Sequence, residues 1–281
     1  MGDSMLQTKL DRMRTCLREL RSVAVAFSGG VDSTFVLKVA ADTLGRDCVV
    51  AVTGRSPSIP EQELEDARRL AELIGVEHVV IDTDEFSDPN YLANPTNRCY
   101  FCKTELYGKL ADFIAGRGIR HMLNGTNADD LGDYRPGLKA ASEFEVHAPI
   151  ADAGLSKADV RRLSAELGLP TADKPAAPCL SSRIPYGAAV TPEKLSMIER
   201  AERLLHELGF RECRVRHHDN MARIEVPSDQ IEALMQPETR ARVESGLRDI
   251  GYAYVTVDLR GLRSGSLNEV IAFGRVQAPL Q

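Results

Sequence analysis

A glycine-containing loop between a short apolar run and a helical pattern constrains the fold of this chain most strongly. Residues 22–27 read SVAVAF, the loop reads Ser28-Gly29-Gly30, and helical spacing over residues 32–44 follows directly. Glycine lets a backbone approach a ligand closely, and the amide groups at a helix start attract anions. The order of strand, glycine loop and helix therefore predicts an α/β sheet that binds a phosphate at this edge.

The first half of the chain alternates further apolar runs with helical patterns. Strands that are apolar on both faces are typical of parallel sheets covered by helices on both sides. We therefore expect residues 1–175 to form a parallel α/β domain. The segments after the first run and helix are, in chain order, residues 48–53, 60–74, 78–82, 105–115 and 122–123, and then a helix over 157–167 that Ser156 caps.

The second half of the chain reads differently and begins after a segment rich in proline, residues 168–187. Thr191 followed by Pro192 is typical of a helix start. The mixture of helical and strand patterns that follows predicts a small α+β domain over residues 176–281. Its strands are expected at 212–217, 222–226 and 252–259, with one or two helices within 231–247.

The composition excludes several classes of protein. The 281 residues include 35 Lys and Arg against 41 Asp and Glu, a formal net charge of -6. A general nucleic-acid coat protein would need a basic excess instead. The sequence has no run of 18 apolar residues, and its first 17 residues have no apolar core, so we expect neither a membrane span nor secretion. We expect a cytoplasmic protein with reduced thiols.

Two polar motifs follow predicted strands and should meet at one edge of the sheet. Ser28 and Ser33 add hydroxyl groups to the glycine loop, whereas Asp32 would repel phosphate unless it binds Mg²⁺ that bridges phosphate oxygens. The second motif, residues 125–130 (GTNADD), follows the fourth strand. The carboxyl ends of parallel strands share an edge, so both motifs are expected near the same ligand. The alternative for the second motif is an exposed helix cap.

Three of the six cysteines occur in polar or proline-rich settings, namely Cys99, Cys102 and Cys179. Their chemistry leaves several possibilities open: a redox pair, a zinc site that lacks its fourth ligand, chance, or a 4Fe–4S cluster on three thiolates. Such a cluster leaves one iron open for an exogenous ligand such as sulfide. The other three cysteines are interpreted as packing residues, namely Cys16, Cys48 and Cys213.

A second-half strand presents cationic side chains with a period of two. Arg214, Arg216 and His218 lie on one face of this strand, which suits a phosphate or carboxylate of a substrate. Glu202 and Glu225 are the acidic residues that could pair with them or bind a metal. The alternative is a solvated outer face of a small sheet.

The motifs together, in this order, resemble one family over about residues 20–260. SGGVDS resembles the signature of the PP-loop ATP pyrophosphatases, which have an adenine nucleotide alpha hydrolase-like fold. With NRCYFCK, NGTNADDLGDYRPG, KPAAPCLSSRIPYG and RVRHHDNMARIE, the chain resembles the LarE-type ATP-dependent sulfur transferases of the three-cysteine kind. The resemblance implies adenylation of pyridinium-3,5-biscarboxylic acid mononucleotide, then conversion of its carboxylate to a thiocarboxylate, towards the nickel-pincer nucleotide of lactate racemase.

The resemblance also implies roles for individual residues. The residues expected at ATP are Ala26, Phe27, Ser28, Gly29, Gly30, Asp32, Ser33, Thr53, Gly125, Thr126 and Asp129. Catalytic roles are implied for Cys179, Asp32, Ser182 and Arg183, and substrate contacts for Arg214, Arg216, Glu202 and Glu225. Cys99, Cys102 and Cys179 would hold the 4Fe–4S cluster with an extra sulfide. In single-cysteine relatives the residue matching Cys179 instead gives up its own sulfur. A trimer-based homo-oligomer, up to a hexamer, is also implied.

Two other functions remain open on the sequence. One is a different PP-loop enzyme, either an amidotransferase-like synthetase or a tRNA thiolase, although neither a glutaminase segment nor a strongly basic domain is present. The other is a nucleotide-responsive or iron–sulfur sensor without turnover. Release of pyrophosphate from ATP separates the enzymes from the sensor.

Overall fold

The computed structural model describes residues 2–132, 135–263 and 265–269. The chain divides into two compact units. The first comprises the chain up to Tyr91 together with Pro95–Ala177, and the second comprises Leu92–Asn94 and the chain from Pro178 onward. The chain crosses between the units three times, and the last crossing, after Ala177, lies within the proline-rich segment 168–187.

The first unit is built on a parallel four-stranded sheet, which confirms the predicted α/β fold. Its strands are β1 (Val23–Ala26), β2 (Val49–Arg55), β3 (Glu77–Asp82) and β4 (His121–Leu123), in the order β3-β2-β1-β4. Val23 and Val25 of β1 pack into one apolar cluster and Ala24 into another. Because alternate residues of a strand face opposite sides, both faces of the sheet are covered.

Helices flank this sheet, and several differ in extent from the sequence pattern. They are α1 (Gly2–Leu20), α2 (Val31–Leu44), α3 (Glu61–Ile74), α4 (Pro89–Leu92), α5 (Arg98–Ala115), α6 (Gly137–Glu143), α7 (Pro149–Asp152) and α8 (Lys157–Glu166). The expected cap of α8 is present, because Ser156 Oγ accepts a hydrogen bond from the Asp159 amide at 3.1 Å. Helix α5 begins at Arg98 rather than at residue 105, which brings Cys99 and Cys102 into its first two turns.

Helix α1 precedes the first predicted element. Its buried side chains recur every three or four residues along one face, and they pack into the larger core of the unit. These side chains are Leu6, Leu10, Met13 and Leu17. The helix therefore belongs to the core of the first unit.

The second unit is a small α+β assembly, as predicted. It contains α9 (Pro192–Glu207), β5 (Arg214–His218), β6 (Met221–Glu225), α10 (Ile231–Leu234), α11 (Pro237–Ile250) and β7 (Tyr254–Val257). Strands β5 and β6 form an antiparallel pair, and β7 runs parallel to β6. Thr191 Oγ1 caps α9 and Pro192 occupies the first turn, as the sequence pattern predicts. In the ranges that the structure describes, no helix has the length and apolar character needed to cross a bilayer.

Candidate functional site

The glycine loop of the first unit has the geometry of an anion site. Gly29 has a φ of +67°, and a Cβ placed on it would lie 3.3 Å from Ala67 Cα of α3. The hydroxyls of Ser28 and Ser33 lie 3.1 Å apart, and the amide of Gly30 donates to Ser28 Oγ at 3.4 Å. Gly30 has no side chain that could cap α2. No capping side chain therefore occupies the amides of the first turn, which point towards the loop.

The second motif meets this loop, as expected from the order of strands. A Cβ placed on Gly125 would lie 2.8 Å from the Ser33 amide nitrogen and 3.0 Å from Asp32 Cβ. Only glycine fits at such a distance from another backbone. Thr126 is held beside it, because its amide donates to Asn124 Oδ1 at 3.0 Å and its carbonyl accepts from Ala151. The two motifs therefore form one continuous surface at the carboxyl ends of β1 and β4.

Asp32 and a lysine outside the predicted set form an ion pair beside the loop. Lys157 Nζ lies 2.5 Å from Asp32 Oδ2, and the Lys157 amide donates to Asp129 Oδ2 at 2.8 Å. The other oxygen of Asp32 is buried and has no hydrogen-bond partner among the described residues. A carboxylate with one unsatisfied oxygen beside the glycine loop fits a Mg²⁺ ligand, and this role of Asp32 stays a prediction.

Lys174 is a second lysine at the loop that sequence reasoning missed. Its ammonium lies 2.7 Å from Glu63 Oε2 of α3 and 3.4 Å from the Gly29 carbonyl oxygen. Arg161 of α8 holds the backbone of this segment, donating to the carbonyls of Ala172 and Lys174 at 2.6 and 2.9 Å. Two cations thus lie beside the loop, Lys157 at Asp32 and Lys174 at the Gly29 carbonyl.

Three other predicted residues support the loop from the sheet. Thr53 Oγ1 donates to the Phe27 carbonyl at 2.8 Å and also lies 2.8 Å from His78 Nε2. The Phe27 amide bonds the Val52 carbonyl and so continues the pairing of β1 with β2 beyond Ala26. Burial lowers the pKa of His78, which favours a neutral ring beside Thr53. These contacts fix the backbone from which the loop begins.

The cysteine pair lies at the start of α5. Cys99 is exposed and Cys102 is half-buried, one helical turn apart. Helix α6 packs against this turn, where Tyr100 donates to Glu143 Oε2 at 2.8 Å. Cys179 belongs to the second unit, so convergence of the three thiols stays a prediction. Within either unit, the described residues place no three His, Cys, Asp or Glu side chains together as metal ligands.

In the second unit, Cys179 immediately precedes a 3₁₀ turn over Leu180–Arg183. Arg183 folds back over this turn and is buried. Its guanidinium donates to both oxygens of Glu202 at 2.8 and 2.9 Å, to the carbonyls of Pro178 and Cys179, and to Ser182 Oγ. Burial opposes its charge, but the attraction of Glu202 prevails and raises the pKa of Arg183.

Arg216 holds the same turn from strand β5. It donates to both oxygens of Glu225 at 3.0 and 2.8 Å, to the Ser182 carbonyl at 2.8 Å and to Ser266 Oγ at 2.7 Å. Both ion pairs, Arg216–Glu225 and Arg183–Glu202, are buried. Glu225 therefore pairs with Arg216, one of the alternatives that the sequence left open, whereas Glu202 pairs with Arg183, a residue outside the strand.

Arg214, on the same strand, is in a different environment. Its side chain is half-buried and donates to the Arg263 carbonyl at 3.1 Å. Burial, and then the charges of Arg216 and Arg183, lower the pKa of Arg214. Because Arg216 and Arg183 are themselves paired with Glu225 and Glu202, a substrate phosphate at Arg214 stays a prediction.

The other three cysteines have packing environments of different depth. Cys213 is buried, its thiol donates to the Glu202 carbonyl at 3.9 Å, and burial raises its pKa. Cys16 on α1 and Cys48 before β2 are half-buried. The interpretation as packing residues therefore fits Cys213 best.

Comparison with known proteins adds to this geometry. The NAD synthase family model matches residues 6–91, which include the glycine loop. An uncharacterized protein of Synechocystis sp. is 48% identical over 95% of this chain and 99% of its own length. A tRNA-specific 2-thiouridylase of Caulobacter sp. is 30% identical, but over 54% of this chain and 46% of its own.

One relative with a named activity covers both units. The pyridinium-3,5-bisthiocarboxylic acid mononucleotide synthase of Lactiplantibacillus plantarum is 40% identical over 95% of this chain and 96% of its own length. Similarity of this extent includes the glycine loop, the Cys179 turn and the arginine strand. The chain therefore belongs to the LarE family of pyridinium-3,5-bisthiocarboxylic acid mononucleotide synthases.

Proposed function

We propose that this chain is an ATP-dependent sulfur transferase that converts a carboxylate of pyridinium-3,5-biscarboxylic acid mononucleotide to a thiocarboxylate. The observation that carries the proposal is the meeting of Gly125 with Asp32 and Ser33, which joins an anion loop to a carboxylate with an unsatisfied oxygen. The likeness to the synthase of L. plantarum over 95% of this chain supports the substrate class.

The first step is activation of the substrate carboxylate. The amides of Gly29, Gly30 and the first turn of α2 bind the phosphates of ATP. A substrate carboxylate oxygen attacks the α-phosphorus, the bond to the bridging oxygen breaks, and pyrophosphate leaves. Lys157 and Lys174 neutralise the charge that develops on that leaving group. Mg²⁺, when bound, would be held by Asp32 and would screen the phosphate oxygens.

The second step is transfer of sulfur. The Cys179 thiolate attacks the acyl carbon, and AMP leaves with the electron pair of the broken C–O bond, so that a thioester links the substrate to the enzyme. Loss of the Cys179 Cα proton to a base then breaks the Cβ–S bond and yields a thiocarboxylate and dehydroalanine. Arg183 and the Ser182 amide both donate to the Cys179 carbonyl and hold the backbone there during this step.

The pair Cys99 and Cys102 supports a second source of sulfur. Two thiolates one turn apart at a helix start suit a 4Fe–4S cluster that Cys179 completes. When bound, the cluster would supply an exchangeable sulfide at its open iron, and Cys179 would survive turnover. We further propose a cytoplasmic, trimer-based oligomer, up to a hexamer, that serves lactate racemase maturation.

Pyrophosphate release tests the activation step. Purified protein with ATP and Mg²⁺ should release pyrophosphate when pyridinium-3,5-biscarboxylic acid mononucleotide is added, and much less without it. The Asp32→Asn variant should lose roughly 100-fold or more of this rate, as expected for a group that stabilises transferred charge. Equal release with tRNA as the acceptor, or none with the mononucleotide, would reject the proposed substrate.

A further inference from the structure

An apolar groove lies beside strand β7, which is an outer strand of the sheet in the second unit. Leu234 of α10 and Val243 of α11 line the groove together with Val255 and Val257 of β7. Leu259 lines it too and is 87% exposed. The groove has a volume of about 440 Å³, whereas a cavity of about 150 Å³ already holds a benzene ring. It therefore has room for more than one large apolar side chain.

The backbone of β7 can pair on a second side. Among the residues that the structure describes, β7 pairs with β6 alone. The Asp258 amide, which follows β7, donates to the Ile224 carbonyl of β6 at 2.9 Å. Successive residues of a strand direct their backbone groups to alternate neighbours, so the amides of Val255 and Val257 point to the open edge. Proteins usually cover such an edge, because its unpaired groups bind other chains.

The part of the chain that the structure describes ends close to this groove. Its last residue, Glu269, accepts hydrogen bonds from Arg260 at 2.8 Å and from Arg263 at 3.2 Å. Arg260 directly follows Leu259, which lines the groove. The residues after Glu269 therefore start near the carboxyl end of β7, at one end of its open edge.

The sequence that follows Glu269 is suited to a strand. Residues 270–273 read VIAF, which are apolar and mostly strand-forming, and Gly274 ends the run. Strand β7 also has four residues. An extended chain over residues 270–277 spans roughly 26 Å and β7 roughly 13 Å, so the segment can reach along the whole strand. Because side chains alternate between the two faces of a strand, Ile271 and Phe273 lie on the same face.

We propose that residues 270–273 of the same chain bind the open edge of β7 as an antiparallel fourth strand, and that Ile271 and Phe273 fill the groove. The direction follows from the start of the segment at the carboxyl end of β7. The groove is the apolar side of this sheet, since the opposite face carries charged residues such as Arg216, Arg223 and Glu225. The docked segment buries apolar surface on both partners and pairs the amides at the edge. The proposal needs neither ATP nor a substrate and does not rest on the proposed function.

Hydrogen exchange at single amides, measured by mass spectrometry with electron-transfer fragmentation, tests this strand. The variant is Ile271→Ser with Phe273→Ser in the full chain, which leaves the cores of both units unchanged. We expect the amides of Val255 and Val257 to exchange about tenfold or more faster in this variant, because their hydrogen bonds to the docked segment are lost. The Tyr254 amide, which donates to the Asn220 carbonyl on the β6 side, should exchange at the same rate in both proteins.

The matched control is Ala278→Ser with Leu280→Ser, which changes two apolar residues beyond the docked run and should exchange like the unchanged protein. Three results would overturn the proposal. If Val255 and Val257 exchange equally fast in all three proteins, nothing covers the edge. If they are equally protected in all three, something other than residues 270–273 covers it. If their protection is lost in the docking variant but also falls when the unchanged protein is diluted, the strand comes from a second copy of the chain.

Discussion

Gly125 and Asp32 lie so close that a Cβ on Gly125 would be 3.0 Å from Asp32 Cβ and 2.8 Å from the Ser33 amide nitrogen. Real Cβ atoms do not approach a backbone that closely, so this part of the nucleotide surface tolerates only glycine. The contact fixes the end of β4 against the start of α2 and sets the position of the Asp32 carboxylate.

Gly125→Ala should therefore displace the start of α2 and weaken ATP binding about tenfold or more, because the loop amides lose their alignment. The measurement is the Kd for ATP by calorimetry. Gly116→Ala is the matched control, since its Cβ would meet only the Phe113 carbonyl at an ordinary 3.7 Å. An unchanged Kd in Gly125→Ala would contradict the assignment of this surface to ATP.

Lys157→Met should change the affinities for metal and nucleotide in opposite directions. Without the ammonium 2.5 Å from its Oδ2, Asp32 is left unneutralised and should bind Mn²⁺, a paramagnetic substitute for Mg²⁺, more tightly in the absence of nucleotide. ATP should bind about tenfold more weakly, because a charged donor to phosphate is lost.

Titration of Mn²⁺ by paramagnetic resonance and of ATP by calorimetry measures these two effects. Lys38→Met serves as the control, because Lys38 pairs with Asp42 on α2, farther along that helix than Asp32. If both variants behave alike, Lys157 has no part in the nucleotide site.

Cysteine alkylation should separate the buried thiol from the exposed one. The thiolate is the reactive form, and burial raises the pKa of Cys213 so that little thiolate exists between pH 7 and 9. Cys99 is exposed at the start of α5 and should react first with iodoacetamide. Peptide mass spectrometry of the folded protein measures both, and Cys213 should become reactive only in urea. Equal rates in the folded state would disprove the packing of Cys213.

The second unit should lose stability in mildly acidic solution. Burial lowers the pKa of His217, whose ring lies 3.1 Å from the Tyr252 hydroxyl, below that of the unfolded chain. As pH falls through about 6.5, His217 takes up a proton in the unfolded chain but stays neutral in the folded unit. The free energy of unfolding therefore decreases.

Urea unfolding between pH 7.5 and 5.5 measures this loss. His217→Gln should show a smaller loss over that range than the unchanged protein, whereas His206→Gln, an exposed position on α9, should follow the unchanged protein. If His217→Gln loses as much free energy of unfolding over this pH range as the unchanged protein, a group other than His217 causes the pH dependence.

Local patterns were sufficient to predict the parallel sheet and the edge at which Gly125 meets Asp32 and Ser33. Short apolar runs between helical segments arise because helices cover both faces of a parallel sheet and bury its strands. The motifs that follow these strands meet because the carboxyl ends of parallel strands share one edge of the sheet. Helix α1 had the same kind of signal, in the spacing of Leu6, Leu10, Met13 and Leu17. This helix was not predicted because no strand or glycine motif precedes it.

Contacts between residues far apart in sequence were beyond local patterns. Lys157 reaches Asp32 across 125 positions, and Lys174 reaches Gly29 across 145. A lysine at a helix start or in a proline-rich segment is ordinary on a surface, so neither position stood out. For the same reason, the strand pattern grouped Arg214 with Arg216 but could not show that Glu225 and Ser182 use most of the donors of Arg216.

The central claim is that sulfur reaches the adenylated carboxylate through Cys179, either as its own sulfur or as a sulfide of the cluster that it would help to hold, and one comparison tests this claim most directly. Unchanged protein and Cys179→Ala are incubated with ATP, Mg²⁺ and pyridinium-3,5-biscarboxylic acid mononucleotide, and pyrophosphate and product mass are measured together. We predict that both proteins release pyrophosphate. Only the unchanged protein should form a product in which a carboxylate oxygen is replaced by sulfur. A sulfur-containing product from Cys179→Ala, or no such product from the unchanged protein, would contradict the claim.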